Sequence, residues 1–203
     1  MIAIVDYGVG NLFSLSSSLK ALGLETEITR DPAILQAANH IILPGVGAFG
    51  DAIAKLEATD LIPVLQQEAK KKPFLGICLG MQLLFDRSFE YGEHTGLGFV
   101  GGEVVDLRNS LTDKSLKVPH MGWNSLQIVK DDPLFRYIED GEYVYYVHSY
   151  YARNCEASTL GTSQYGNVSV TGVVRSGNVY GAQFHPEKSG ETGLRLLKAF
   201  SEL

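Results

Sequence analysis

The nucleophilic chemistry open to this chain rests on two cysteines, five histidines and the carboxylates that could assist them. Cys78 has the most telling surroundings, in Pro73-Phe74-Leu75-Gly76-Ile77-Cys78-Leu79-Gly80-Met81-Gln82. Glycines at both second neighbours suit a very sharp strand-to-helix turn, since a Cβ at either would strike the crossing backbone. Such an elbow lifts the central side chain off the sheet. It also aims backbone N–H groups and a helix N-terminus at the sulfur, which favours thiolate over thiol. A small core cysteine beside two turn glycines has the same local pattern, so the elbow needs partners elsewhere in the chain.

A thiolate nucleophile needs a base, and the base needs an orienting group. Among His40, His94, His120, His148 and His185, the last ends the strand-like run Val179–Phe184 and precedes Pro186-Glu187. Proline keeps the residue before it out of the helical region, so His185 is expected to be extended. Residues two apart in extended chain share a side, which lets Glu187 hold the His185 ring while the other nitrogen faces the thiol. His148, within Tyr145-Tyr146-Val147-His148-Ser149-Tyr150, is the competing base but has no acid in local reach. Acyl transfer further needs donors for an oxyanion. The turn Gly45-Val46-Gly47 follows the third expected strand as the elbow follows the fourth, so one of its N–H groups and that of Leu79 can form a two-donor hole. Gln82, four residues past Cys78, lies one turn along the same helix face.

The elements that must carry these groups alternate. Ile2–Asp6, Glu25–Thr29, His40–Leu43 and Phe74–Ile77 read as buried strands. Between them Leu12–Leu22, Pro32–Ala38 and two stretches across 51–72 read as helices, and Met81, Leu83, Leu84 and Phe85 continue a helical pattern past the elbow. Lys70-Lys71-Lys72 reads as the solvated end of a helix. This predicts an α/β fold, a doubly wound, mostly parallel sheet with helices on both faces. Ligands then collect at the carboxyl ends of its strands. Beyond about Gly96 the runs Phe99–Leu107, Leu126–Val129, Tyr143–Val147, Val168–Val174 and Asn178–Phe184 suit an antiparallel β extension in the C-terminal half, closed by a helix over 191–202. With no linker or repeat, residues 1–203 are expected to form a single domain.

Composition narrows the function classes. A 45% hydrophobic, 20% charged chain is ordinary globular protein. A net charge of −6 argues against nucleic acid or an anionic membrane as partner. Cys78 and Cys155 form no metal-ligand spacing, no metal or other cofactor is implied, and sequence leaves a disulfide between them open. With no apolar stretch of membrane-spanning length and no signal-like N-terminus, a cytoplasmic, reducing setting is expected. Gly8-x-Gly10 lacks the third glycine of a dinucleotide fingerprint, Phe13 standing in its place. A cysteine, a histidine and a glutamate in this order also suit a self-sufficient cysteine hydrolase, one that works without any partner subunit.

Gly76–Gln82 with His185-Pro186-Glu187 roughly a hundred residues later resembles the class I glutamine amidotransferases, and the likeness runs through the whole chain. Asp6-Tyr7-Gly8-Val9-Gly10-Asn11, Pro44–Phe49, Pro119–Asn124 and His185–Ser189 are similar to the branch formed by the glutaminase subunits of imidazole glycerol phosphate synthases, which serve histidine biosynthesis. The resemblance implies a Cys78, His185, Glu187 triad that hydrolyses glutamine to glutamate and ammonia through a cysteine thioester. It places Gly47 on the oxyanion strand, Gln82 and Glu90 on the substrate glutamine, and the backbone of Ser149 and Tyr150 along its pocket. It also implies a heterodimer with a (β/α)8-barrel cyclase subunit that uses the ammonia to make imidazole glycerol phosphate and aminoimidazole carboxamide ribotide. Asn11, Met121, Trp123, Asn124 and Lys188 would lie on the docking face.

Overall fold

A computed structural model describes residues 1–203. In chain order it opens with β1 (Ile2–Val5), α1 (Leu12–Ala21), β2 (Thr26–Thr29), α2 (Pro32–Ala37), β3 (His40–Gly45), α3 (Phe49–Glu57), α4 (Ile62–Glu68) and β4 (Phe74–Cys78). The single-turn α5 (Leu79–Gln82), β5 (Phe85–Ser88), β6 (His94–Thr95), β7 (Val100–Asp106), α6 (Leu107–Ser110), β8 (His120–Ser125) and β9 (Gln127–Ile128) follow. Then come β10 (Tyr143–His148), β11 (Tyr150–Arg153), β12 (Thr159–Tyr165), β13 (Val168–Ser176), β14 (Val179–Ala182) and α7 (Gly190–Ser201).

The main sheet has the order β2-β1-β3-β4-β14-β13-β12-β9, parallel from β2 to β14 and antiparallel from there to β9. Its central strands read as unbroken apolar runs because both faces are covered. Along β1, Ile2 and Ile4 enter one core while Ala3 and Val5 enter the other. Strand β3 divides in the same way, Ile42 against Ile41 and Leu43. Leu15 and Leu19 of α1 and Leu196, Leu197 and Phe200 of α7 fill the first core, and Ile53, Leu56 and Leu65 of α3 and α4 the second. A second sheet, β11-β7-β5-β6, and a β10–β8 hairpin-like pair complete the molecule. No helix is long and apolar enough to cross a membrane.

The parallel core and the antiparallel extension match expectation in outline, but β8, β11 and β12 were not expected, and three expected features differ. The helix after the elbow stops at Gln82, and Phe85 begins β5, which runs parallel to β7. Leu83, Leu84 and Phe85 are all fully buried, and an apolar run enclosed on every side shows no period that separates strand from helix. The expected strand Leu126–Val129 shrinks to the two paired residues of β9. Lys72 is not solvated: its ammonium bonds the carbonyls of Leu35, Gln36 and Ala38 at the C-terminus of α2, and Glu68. A cation there satisfies carbonyls that the helix end leaves free.

Candidate active site

The C-terminal ends of β3, β4 and β14 meet at one point, where Gly45 lies opposite Cys78 and Ala182 opposite Ile77. Cys78 sits at φ +54°, ψ −111°, a conformation that costs a non-glycine residue free energy and is held by what surrounds it. The surroundings leave no room. A Cβ on Gly80 would overlap the Leu43 carbonyl, and one on Gly76 would come within 2.6 Å of the Gly80 oxygen. The elbow therefore needs both glycines for space. Leu79 starts α5, so its N–H is among those with no partner inside the helix.

His185 is fixed at its backbone before its ring is considered. Its N–H donates to the Tyr145 carbonyl at 2.9 Å, and its own carbonyl accepts from the Ser189 hydroxyl at 2.7 Å. The residue is extended, φ −99°, ψ 101°, as the following proline demands. Glu187 reaches the ring from a 3-10 turn, Pro186–Lys188, rather than from the extended chain expected from sequence. Its carboxylate lies 2.8 Å from Nδ1, and both side chains are almost fully buried. Burial by itself lowers the His185 pKa. The Cys78 sulfur and the Glu187 carboxylate outweigh it, and the value is pushed up to about 10. Both neighbours thus favour the charged, imidazolium form of His185.

A cavity of about 210 Å³ opens beside the sulfur, lined by Gly47, Cys78, Leu79, Gln82, Glu90, Ser149, Tyr150, His185 and Lys188 among others. Larger hollows lie on other faces, one of about 620 Å³ around Leu97 and Asn178. Neither that hollow nor one of about 470 Å³ around Cys155 brings a cysteine together with a histidine, so chemistry rather than size marks the site. Gly47 has φ +97° and is exposed, beyond the last ladder pair of β3. The turn that carries it is tied at both ends. Tyr7 donates from its hydroxyl to the Pro44 carbonyl at 2.7 Å, and the Phe49 N–H donates to Glu90 Oε2 at 2.7 Å. Glu90 is thus a buried carboxylate at the start of α3, and burial raises its pKa above the usual range despite that hydrogen bond.

Gln82 is 4% exposed and turns its amino group to the Tyr150 carbonyl at 2.9 Å and to Gln183 Oε1 at 3.1 Å. His148 also lines the cavity but is no base. Burial, with His120 beside it, lowers its pKa to about 3, and its Nδ1–H is given to the Tyr150 carbonyl. Of the residues assigned to a docking face, Met121 and Trp123 are exposed at 64% and 55%, and Lys188 is exposed at the cavity mouth. Asn11 is half-buried at the start of α1. Asn124 differs: its side chain is spent internally on Gln164, His120 and Ser125.

Sequence reasoning did not find Tyr7, His120 or Gln183. Tyr7 lies in the Asp6–Asn11 motif and Gln183 two residues before His185, but nothing local separates either from a core residue. Both cysteines are free. Cys155 is buried against Thr159 and Thr171, away from this cavity.

The chain is similar to several known proteins. The family model for "Glutamine amidotransferase class-I" matches residues 3–202. The imidazole glycerol phosphate synthase subunit HisH of Lacticaseibacillus casei is 50% identical over all of this chain and 96% of its own length. The HisH subunit of Bacillus cereus is 50% identical over 98% of this chain and 93% of its own. Among solved structures, a glutamine amidotransferase is similar with a TM-score of 0.75 at 19% identity, covering all of this chain and 98% of that one. The PurLQS structure from Thermotoga maritima is similar with a TM-score of 0.75 at 21% identity, covering 99% of this chain and 97% of that one. At such identities the likeness concerns the fold alone. From its full-length match to the family model and its close full-length relatives, the chain belongs to the class-I glutamine amidotransferase family, on the branch of the imidazole glycerol phosphate synthase HisH subunits.

Proposed function

We propose that this chain is the glutaminase half of an imidazole glycerol phosphate synthase, working as one domain in histidine biosynthesis. The observation that carries the proposal is His185, clamped between the Glu187 carboxylate and the Cys78 sulfur at the elbow. Cys78 thiolate attacks the side-chain amide carbon of glutamine. The N–H of Leu79 and one from the Gly45–Gly47 turn receive the oxyanion. His185 protonates the leaving ammonia, then takes a proton from water as that water hydrolyses the γ-glutamyl thioester to glutamate. Gln82, Glu90 and the backbone at Ser149 and Tyr150 bind the glutamine. Glu90 suits its α-ammonium, because a buried carboxylate gains from a cation brought beside it.

Ammonia is useful as a nucleophile only while unprotonated, so it must pass to a second site without meeting bulk water. The partner in this reading is a (β/α)8-barrel cyclase subunit. It docks on the face that holds Asn11, Met121, Trp123, Asn124 and Lys188, next to the cavity mouth. A free-thiol nucleophile suits a reducing, cytoplasmic setting. The test is glutamate release from glutamine, measured for the chain alone and with the cyclase subunit and its ligand. The expected result is turnover that rises at least tenfold with the partner and disappears in Cys78→Ala. Appreciable turnover in Cys78→Ala would remove Cys78 from its role, and full activity without the partner would remove the gating.

A further inference from the structure

We infer that Gln183 is a further catalytic residue, whose side-chain amide donates to the Cys78 sulfur and favours the attacking thiolate. The inference rests on the reading of Cys78 as nucleophile. Gln183 is completely buried, and its Nε2 lies 3.9 Å from Sγ. The shape of an amide does not tell oxygen from nitrogen, so its neighbours must.

Here they do so without ambiguity. The Tyr150 carbonyl only accepts, so the Gln82 atom 2.9 Å from it is the amino nitrogen. The same nitrogen lies 3.1 Å from Gln183, whose facing atom must then be oxygen. That leaves the Gln183 amino group on the sulfur.

The far side of the Tyr150 carbonyl imposes the same order. His148 Nδ1 donates to it at 2.9 Å, so His148 Nε2 accepts from His120 Nδ1 at 2.9 Å, and His120 Nε2 accepts from Asn124 Nδ2 at 3.2 Å. Asn124 is oriented in turn by the Gln164 carbonyl and the Ser125 N–H. Backbone groups at the end and in the middle of this chain all require one direction. Flipping Gln183 would turn its amino group toward that of Gln82, leaving a buried donor without an acceptor, which is costly.

A donor at the sulfur favours its charged form. It also opposes the Val147 carbonyl, 3.8 Å from Sγ, which accepts from a thiol but repels a thiolate. The proton that leaves Sγ goes to His185, and Gln183 transfers none. The ionisable groups around the sulfur are His185 with Glu187 behind it, Tyr7 from the end of β1, Glu90 after β5, His148 from β10 and Lys188 at the mouth. None of them is a hydrogen-bond partner of the Gln183 side chain, which bonds Gln82 and Cys78.

The experiment follows alkylation of Cys78 by iodoacetamide in the full chain from about pH 4 to 10, read by mass spectrometry of the Cys78 peptide. It compares wild type with Gln183→Met, which keeps bulk but not the donor, and Gln183→Glu, which places an acceptor at the sulfur. The expected result is a rise in rate at higher pH in both variants. At the pH where wild type is half-maximal, Gln183→Met reacts about threefold more slowly and Gln183→Glu more slowly still, while all reach one plateau, since full ionisation removes the difference. Superimposable profiles, or a lower plateau with an unmoved rise, would overturn the inference. If Gln183→Met does not fold, Gln183→Glu alone decides it by the same criterion. A wild-type Cys78 no more reactive than the thiols of the unfolded chain would instead overturn the nucleophile reading, so the two failures are distinct.

Discussion

His185 and His148 share a cavity wall, and burial depresses both, yet they finish at opposite ends of the titration range. His185 faces the Glu187 carboxylate and the Cys78 sulfur and is driven up to about 10. His148 faces a carbonyl and a second histidine and is driven down to about 3, with His120 at about 4 through burial. The same element of chemistry is thus a charged partner in one place and a neutral strut in the other. A buried histidine held neutral has a folded pKa below its unfolded value near 6.5, so its stabilisation is present above pH 6.5 and lost as pH falls toward 4. Over that window each of His120 and His148 costs about 1.4 kcal/mol per pH unit. Urea midpoints measured from pH 7 to 4.5 are expected to fall steadily, and less steeply in His120→Gln. A flat midpoint across this range would refute the neutral pair. Glu90, with its raised pKa, works in the opposite direction over the lower part of the same window.

At the scale of elements, the β4–α5 elbow shows packing overriding intrinsic preference. Gly80 lies inside α5 with no left-handed backbone, where alanine would ordinarily favour the helix by about 1 kcal/mol. The Leu43 carbonyl occupies the space that a methyl group would need. Gly80→Ala is therefore expected to destabilise the protein by about 3 kcal/mol or more, since α5 must lift away from β3. Urea unfolding of the pure variant measures this directly, and a variant as stable as wild type would show that α5 is not wedged against β3. The Gly76–Gly80 spacing made this turn legible in sequence, because the requirement is local. The length of α5 was not legible. Phe85 pairs with β7 instead of continuing the helix, and strands brought together across the sequence leave no mark in the run itself.

Across the whole molecule, Met121 and Trp123 are two of several exposed apolar residues, which also include Phe13 and Tyr91, and they mark the face proposed for the partner. Met121 and Trp123 stand out from β8, and Lys188 brings a cation to the mouth of the cavity. Trp123 packs edge-on against Tyr145, whose carbonyl holds the His185 N–H. An exposed tryptophan on rigid strand backing has the character of an interface anchor. Trp123→Ala is expected to weaken binding of the cyclase subunit by about 2 kcal/mol, or about thirtyfold in Kd, with the isolated chain as stable as before. Calorimetric titration of the two subunits measures it, and an unchanged Kd would place the docking face elsewhere.

The sharp turn at Cys78, the extended backbone of His185 before proline, the nearness of Glu187 to its ring and the alternating β/α order were readable from residue types and short spacings. Steric need at an elbow, the backbone limit before proline and the burial of both sheet faces all act over a few neighbours. What the linear chain could not contain was the direction of each buried group. His148 became a strut, Glu90 a tie between a loop and α3, Asn124 an internal link and Gln183 a donor to sulfur only when distant strands met. Hydrogen bonds between residues far apart in sequence have no local signature, and burial, which sets protonation, belongs to the folded molecule alone.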